Sequence, residues 1–228
     1  MIGFYIVMAI AIVMSLTFVF SWSKDRPLIS FWLKGLATVT VIALGIYAVL
    51  NSEVCNVSQV LFVVGLALCM LGDLTLALLE LLDESKKEQV IALGMIAFGM
   101  AQVVFVVGMS MVAGFMPFAI LGGLGFAGIV YLMRKPMGLD FGKCLVPGLI
   151  YSATLATSLC SAITYMVVSG FSMAGIILTV GFGLFMISDL ILSQIYFAKG
   201  EHKALYIPNL LTYYAAIILI AVSIIALV

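Results

Sequence analysis

Charge is what this chain has least of: Asp, Glu, Lys and Arg make up 9% of its 228 residues, against 65% apolar. So few charges cannot keep the surface of a soluble globule wet, which leaves a membrane protein. Histidine is almost absent. His202 is the only one, it falls in a charged loop, and no Cys/His cluster accompanies it, so no zinc site is expected and no cofactor is implied. The four cysteines give no disulfide framework, because Cys69 and Cys160 lie within apolar segments while Cys55 and Cys144 are predicted on opposite membrane faces. A net charge of zero, with no basic run outside the loops, argues against a nucleic-acid partner. The first apolar stretch has no basic residue before it and no clear small-residue cleavage site, so it reads as a retained helix and not as a signal peptide.

Long apolar runs are what the chain does have. A helix needs about 20 apolar residues to cross the hydrocarbon core. Eight stretches meet that need, near Ile2 to Trp22, Leu28 to Leu50, Val57 to Leu82, Gln89 to Met109, Met111 to Met133, Leu145 to Val168, Met173 to Phe197 and Ala204 to Val228. The break at Ser110 to Gly114 has no charge to mark it. Basic residues test the count: Lys24, Arg26 and Lys34 flank the first break, Lys86 and Lys87 the third, Arg134, Lys135 and Lys143 the fifth, and Lys199 and Lys203 the seventh. All ten fall on one side. The positive-inside rule makes that side cytoplasmic and puts both termini outside it, in the cell membrane if the source is bacterial. Trp22 and Trp32 lie near cytoplasmic ends, where amphipathic rings anchor. The expected fold is an all-α integral membrane protein of eight transmembrane helices.

Two acids stand where charge is most expensive. Asp73 and Asp189 sit in the middle of spans three and seven, and a carboxylate there costs roughly 2.5 to 3.5 kcal/mol on an insertion scale, so each needs a partner or a job. Leu68, Met70, Asp73, Leu74 and Leu76 recur in register as Leu184, Met186, Asp189, Leu190 and Leu192. Spans three and seven run the same way, as two parallel four-helix repeats over residues 1–110 and 111–228 would require; chance likeness between apolar helices is the alternative. Each acid precedes its cytoplasmic loop by about ten residues, or about 15 Å of helix.

Other polar residues share that depth. Lys34 lies about six residues into span two, Tyr151 about seven into span six, and Thr212, Tyr213 and Tyr214 about nine into span eight, with Gln102 roughly 20 Å up as a roof. Spacing fixes depth along a helix and not rotation about it, and Tyr213 and Tyr214 point apart, so at most one faces inward. Plainer readings stand beside these. Lys34 could snorkel to the headgroups. Gln102, Thr154, Thr157, Ser158 and Ser161 could be interhelical hydrogen-bonding glue, and Gly122, Gly123, Gly125 and Gly128 read as close helix packing, not as a phosphate loop.

The order Lys34, Gly72 with Asp73, Gly94 and Phe98 with Gln102, Pro147 with Tyr151, Phe185 with Ser188 and Asp189, then Thr212, Tyr213 and Tyr214 resembles the YhhN family, which includes the mammalian transmembrane lysoplasmalogenases. The resemblance implies an integral membrane hydrolase that cleaves the vinyl ether bond of a lysoplasmalogen, releasing a fatty aldehyde and a glycerophospho-base. Asp73 and Asp189 are the expected catalytic residues, with Lys34, Gln102, Tyr151, Ser188, Thr212, Tyr213 and Tyr214 around the substrate, a lysophospholipid or other single-chain lipid drawn from the membrane. The chain departs from the family pattern at Gln102, commonly histidine, at Gly35, commonly proline, and at Ile217, commonly glutamine. Loss of the histidine puts activity or substrate identity in doubt while leaving the fold assignment in place.

Paired carboxyls suit the chemistry. Protonation of the vinyl carbon creates an oxocarbenium ion, which water captures to give a hemiacetal that collapses to aldehyde and alcohol. Two buried acids sharing one proton can supply that proton and stabilise the cation, as in glycosidases. Asp189 is expected as the acid and Asp73 as stabiliser or base, with the reverse assignment close behind. A small proton-coupled carrier, with one carboxylate in each duplicated half, is a reading from another class, and a non-catalytic lipid-binding relative is a third.

Overall fold

The computed structural model describes residues 2–23, 26–200 and 202–227, without the Glu84 side chain. Lys24 and Val228, assigned above to a loop and a span end, lie outside the described residues. Eight α-helices run in order: α1 Ile2–Ser21, α2 Pro27–Leu50, α3 Val57–Ala77, α4 Lys87–Ala113, α5 Pro117–Met133, α6 Leu145–Val168, α7 Met173–Phe197 and α8 Tyr206–Ser223. Seven helical segments are long and apolar enough to cross a membrane. α5 is the short one, its 17 residues rising about 26 Å against about 30 Å of hydrocarbon. The protein is therefore a helical multi-pass membrane protein.

Sequence and structure differ most at the join of α4 and α5. Ser110 to Ala113 contain nothing that breaks a helix, so α4 runs on through the expected break to Ala113. It stops at Gly114, whose φ of 84° suits glycine, and Pro117 then opens α5 at a position where its missing N–H costs nothing. Single 3-10 turns take up the other slack, at Leu78–Glu80, Glu84–Lys86, Gly142–Cys144 and Lys203–Leu205.

Helices α2, α3, α4, α6, α7 and α8 close a ring in that order, with α8 packed back on α2. α1 lies outside against α2 and α8, and α5 lies outside against α6. One end of the ring is plugged by aromatics. Phe62, Phe105 and Phe182 are fully buried, with ring centroids 5.2 Å apart for Phe62 and Phe105 and 5.5 Å for Phe105 and Phe182. Beside this plug the Asn56 and Gln59 capping box starts α3, and both side chains reach the end of the chain, Asn56 Nδ2 donating to Leu227 O at 3.0 Å and Gln59 Nε2 to Ile224 O at 2.9 Å.

The polar residues of α6 do little bridging. Thr154 and Thr157 bond back to their own helix, and of the serines and threonines Ser158 crosses, to Gln102 O at 3.2 Å. The glycine cluster of α5 is likewise divided. A Cβ on Gly123 would fall on Thr157 Oγ1 and the Ala153 carbonyl, and one on Gly122 would lie 2.8 Å from Cys160 Sγ, whereas Gly125 and Gly128 face open space. Only the first two set the α5–α6 approach. Gly123→Ala is therefore expected to destabilise the protein by about 1 to 3 kcal/mol through overpacking against backbone, while Gly125→Ala is neutral or slightly stabilising. Thermal unfolding midpoints of the two variants in detergent check this, and equal midpoints would contradict the packing.

Candidate active site

Lys34 and Thr38 are four residues apart on α2, so one helical face presents an ammonium and a hydroxyl to α3. Asp73 receives both. Lys34 Nζ lies 3.1 Å from Asp73 Oδ1, and Thr38 Oγ1 donates to Oδ2 at 2.9 Å. Tyr213 of α8 donates to the same Oδ2 at 2.8 Å. Asp73 is 1% exposed, and these three donors take the place of the water it has lost. Lys34 does not snorkel to the surface: its ammonium is spent on Asp73.

Asp189, on α7, is held differently. Tyr151 of α6 donates a short hydrogen bond to its Oδ2, and the residue is only half-buried. Asp73 lies seven residues before the span end at Glu80 and Asp189 eight before the end of α7, so both sit about 10 to 12 Å in, shallower than the 15 Å expected.

Both acids line a cavity of about 650 Å³. Lys34, Phe98, Ser188 and Tyr213 share its inner wall, and it runs out past Glu80, Lys87, Asp140 and Tyr206 to the end of the bundle where the α1–α2, α3–α4, α5–α6 and α7–α8 connections meet. Trp22 and Tyr206 stack at that end, with ring centroids 4.4 Å apart. A second, almost wholly apolar cavity of about 190 Å³ lies among α4, α5, α6 and α7. Asp189 and Phe98 line both. The Phe98 ring packs at 6.5 Å from Tyr151, 6.2 Å from Phe185 and 6.0 Å from Tyr213. It comes this close to α3 because Gly72 has no side chain; a Cβ there would lie 2.6 Å from the ring.

The remaining candidates fall outside this centre. Ser188 lines the larger cavity, but its Oγ donates to Asn209 O at 3.2 Å and accepts from Asn209 Nδ2 at 3.0 Å, clamping α7 to α8. Thr212 donates back to the carbonyls of Pro208 and Asn209. Tyr214 turns away from the cavity, as the angle between neighbouring helical residues requires, and packs on Phe18 with its hydroxyl 3.4 Å from Thr38 Oγ1. Gln102, one turn beyond Phe98, is fully buried, and its side-chain amide has no hydrogen-bond partner among the described residues. It is set in the packing, not in the roof of the cavity. Thr38 and Asn209 were missed by sequence reasoning. Thr38 could have been found from its helical spacing to Lys34. No group of three or more His, Cys, Asp or Glu among the described residues is placed to hold a metal ion.

Fold and site define a multi-pass membrane protein with a polar, acid-lined chamber open at one end. The YhhN family model matches residues 32–224, and the chain belongs to that family. No curated protein and no solved structure matches it significantly.

The enclosure of Asp73 sets an expectation for its partner. Lys34→Met leaves a buried carboxylate without its cation and is expected to cost about 3 kcal/mol or more, whereas the double variant Lys34→Met/Asp73→Asn recovers much of that loss. Unfolding midpoints of the two single variants and the double variant check the coupling; strictly additive losses would refute it.

Proposed function

We propose that the protein hydrolyses the vinyl ether bond of a lysoplasmalogen or a related single-chain lysolipid, with the basic loop end of the bundle facing the cytoplasm and both termini outside. The observation that carries this reading is that two carboxyls with unlike donor sets open onto one chamber. Asp73, met by an ammonium and two hydroxyls, has the partners of a fixed carboxylate. Asp189, met by a single phenol and standing at the chamber wall, has room to carry and release a proton.

In the proposed reaction Asp189 gives its proton to the outer vinyl carbon, and the carbon–carbon π pair forms the new C–H bond. The ether oxygen then shares the positive charge of an oxocarbenium ion, opposite the carboxylates of Asp189 and Asp73. Water from the chamber adds to the cationic carbon and returns a proton to the acid pair. Collapse of the hemiacetal moves a proton to the glycerol oxygen and breaks the carbon–oxygen bond, so one lipid and one water give one fatty aldehyde and one glycerophospho-base. Tyr213, bonded to Asp73 at the chamber wall, is placed to orient that water.

Purified protein given a vinyl ether lysolipid is expected to release fatty aldehyde, and Asp189→Asn to lower the rate at least about 100-fold, as removal of a general acid does, with Asp73→Asn reducing it comparably. Undiminished release by Asp189→Asn would exclude this chemistry. One observation favours lipid binding without turnover: Gln102, at the position where the resemblance leads one to expect histidine, has no partner for its side-chain amide among the described residues. On that reading the wild type retains the lysolipid and releases no aldehyde, and Gln102→His confers release.

A further inference from the structure

The apolar cavity beside the chamber is not used by the acid chemistry, and Arg134, on its lining, has one side-chain nitrogen without a hydrogen-bond partner among the described residues. From the loop end inward it passes Arg134, Leu139 and Phe197, then Asp189 and Tyr151, then Phe126, Leu155 and Met186. Arg134 closes α5, with its guanidinium carbon 4.0 Å from the Tyr131 ring centroid. Its Nη1 is shut off from solvent and has no hydrogen-bond partner among the described residues. A buried guanidinium nitrogen left unpaired is costly, and its fork geometry matches phosphate oxygens. The outer rim is open to the side of the bundle, where Ile129 is 57% and Leu190 45% exposed. The loop end is closed by backbone and rings: Asp140 N donates to Phe197 O at 2.8 Å, and Phe141 stacks on Phe197 at 4.3 Å.

We infer that this slot is the lipid site, with Arg134 holding the phosphodiester of a lysophospholipid and the face formed by Phe126, Ile129, Leu155 and Met186 holding its chain, so that the lipid enters sideways between α5 and α7. The inference rests on the reading of the neighbouring acids as a lysolipid site. It gives the two cavities separate tasks. The head of the chain meets Asp189 from the slot, and water meets it from the chamber. It also gives the phosphate a cation with an unpaired nitrogen, whereas the ammonium of Lys34 is paired with Asp73.

The test is binding of a long-chain alkyl ether lysophosphocholine, which has no vinyl bond to cleave, beside the matching alkylglycerol without phosphate and beside inorganic phosphate alone. Arg134→Gln is expected to weaken the lysophosphocholine about tenfold, the loss of one charge-assisted contact, and to leave the alkylglycerol unmoved. Ile129→Trp, at the rim, weakens both lipids, and an alkyl chain carrying a terminal diazirine crosslinks to Phe126, Leu155 or Met186. Equal effects of Arg134→Gln on both lipids, crosslinks spread over the outer faces of α1 and α2, or phosphate binding as strongly as the lipid would overturn the assignment, the last showing an ion site only. Arg134-dependent binding without aldehyde release from a vinyl ether lysolipid keeps the slot and removes the proposed reaction. Release that ignores both Arg134 and Ile129 does the reverse.

Discussion

A lysine and an aspartate joined inside an apolar bundle constrain everything near them. Neither ion can be left alone at that depth, because the desolvation of each is offset only while the other is in contact and the remaining lone pairs are bonded. Lys34, Thr38, Asp73 and Tyr213 therefore lock α2, α3 and α8 in rotation as well as in depth. Tyr214 is turned outward by the same lock and braces α2 from behind. The ammonium of Lys34 is paired with Asp73, and Asp189, bonded to Tyr151 alone among the recorded side-chain contacts, stands at the wall of the chamber.

Around that lock the interior separates into a polar-lined compartment and an apolar one. Phe98 forms the partition, seated against the bare backbone at Gly72 and ringed by Tyr151, Phe185 and Tyr213. Asp189 is the acid common to both walls, with Tyr196, Phe98 and apolar side chains around it. An acid at such a boundary can contact an apolar substrate from one side and water from the other, which suits a reaction in which a greasy molecule must be protonated before it is hydrated.

Much of this could be read from the residues, and the limit of that reading is geometric. Apolar run length located the helices, and the acids were conspicuous because, Lys34 apart, nothing else charged lay so deep. Their depth was overestimated: the Asp73 span ends in a 3-10 turn at Glu80, short of Leu82, and Asp189 stands eight residues, not ten, before the end of α7 at Phe197. Rotation was illegible. That is why Tyr213 and Tyr214 could not be ranked, why Thr212 was placed near the site although it bonds back to its own helix, and why four glycines were given one role when two of them face open space. The join at Gly114 was misplaced by a few residues because an uncharged helix end is announced only by glycine and proline. Arg134 was taken only as a marker of sidedness, and nothing in its neighbours shows that one of its nitrogens turns inward.

The phenylalanine plug has a consequence for the cell. A chamber that holds exchangeable protons part of the way across a bilayer is one wetted path away from a short circuit, and the tilted and edge-to-face rings of Phe62, Phe105 and Phe182, all fully buried, pack across the far side. Two acids can thus sit part of the way across a bilayer with packed aromatic rings between them and its far side.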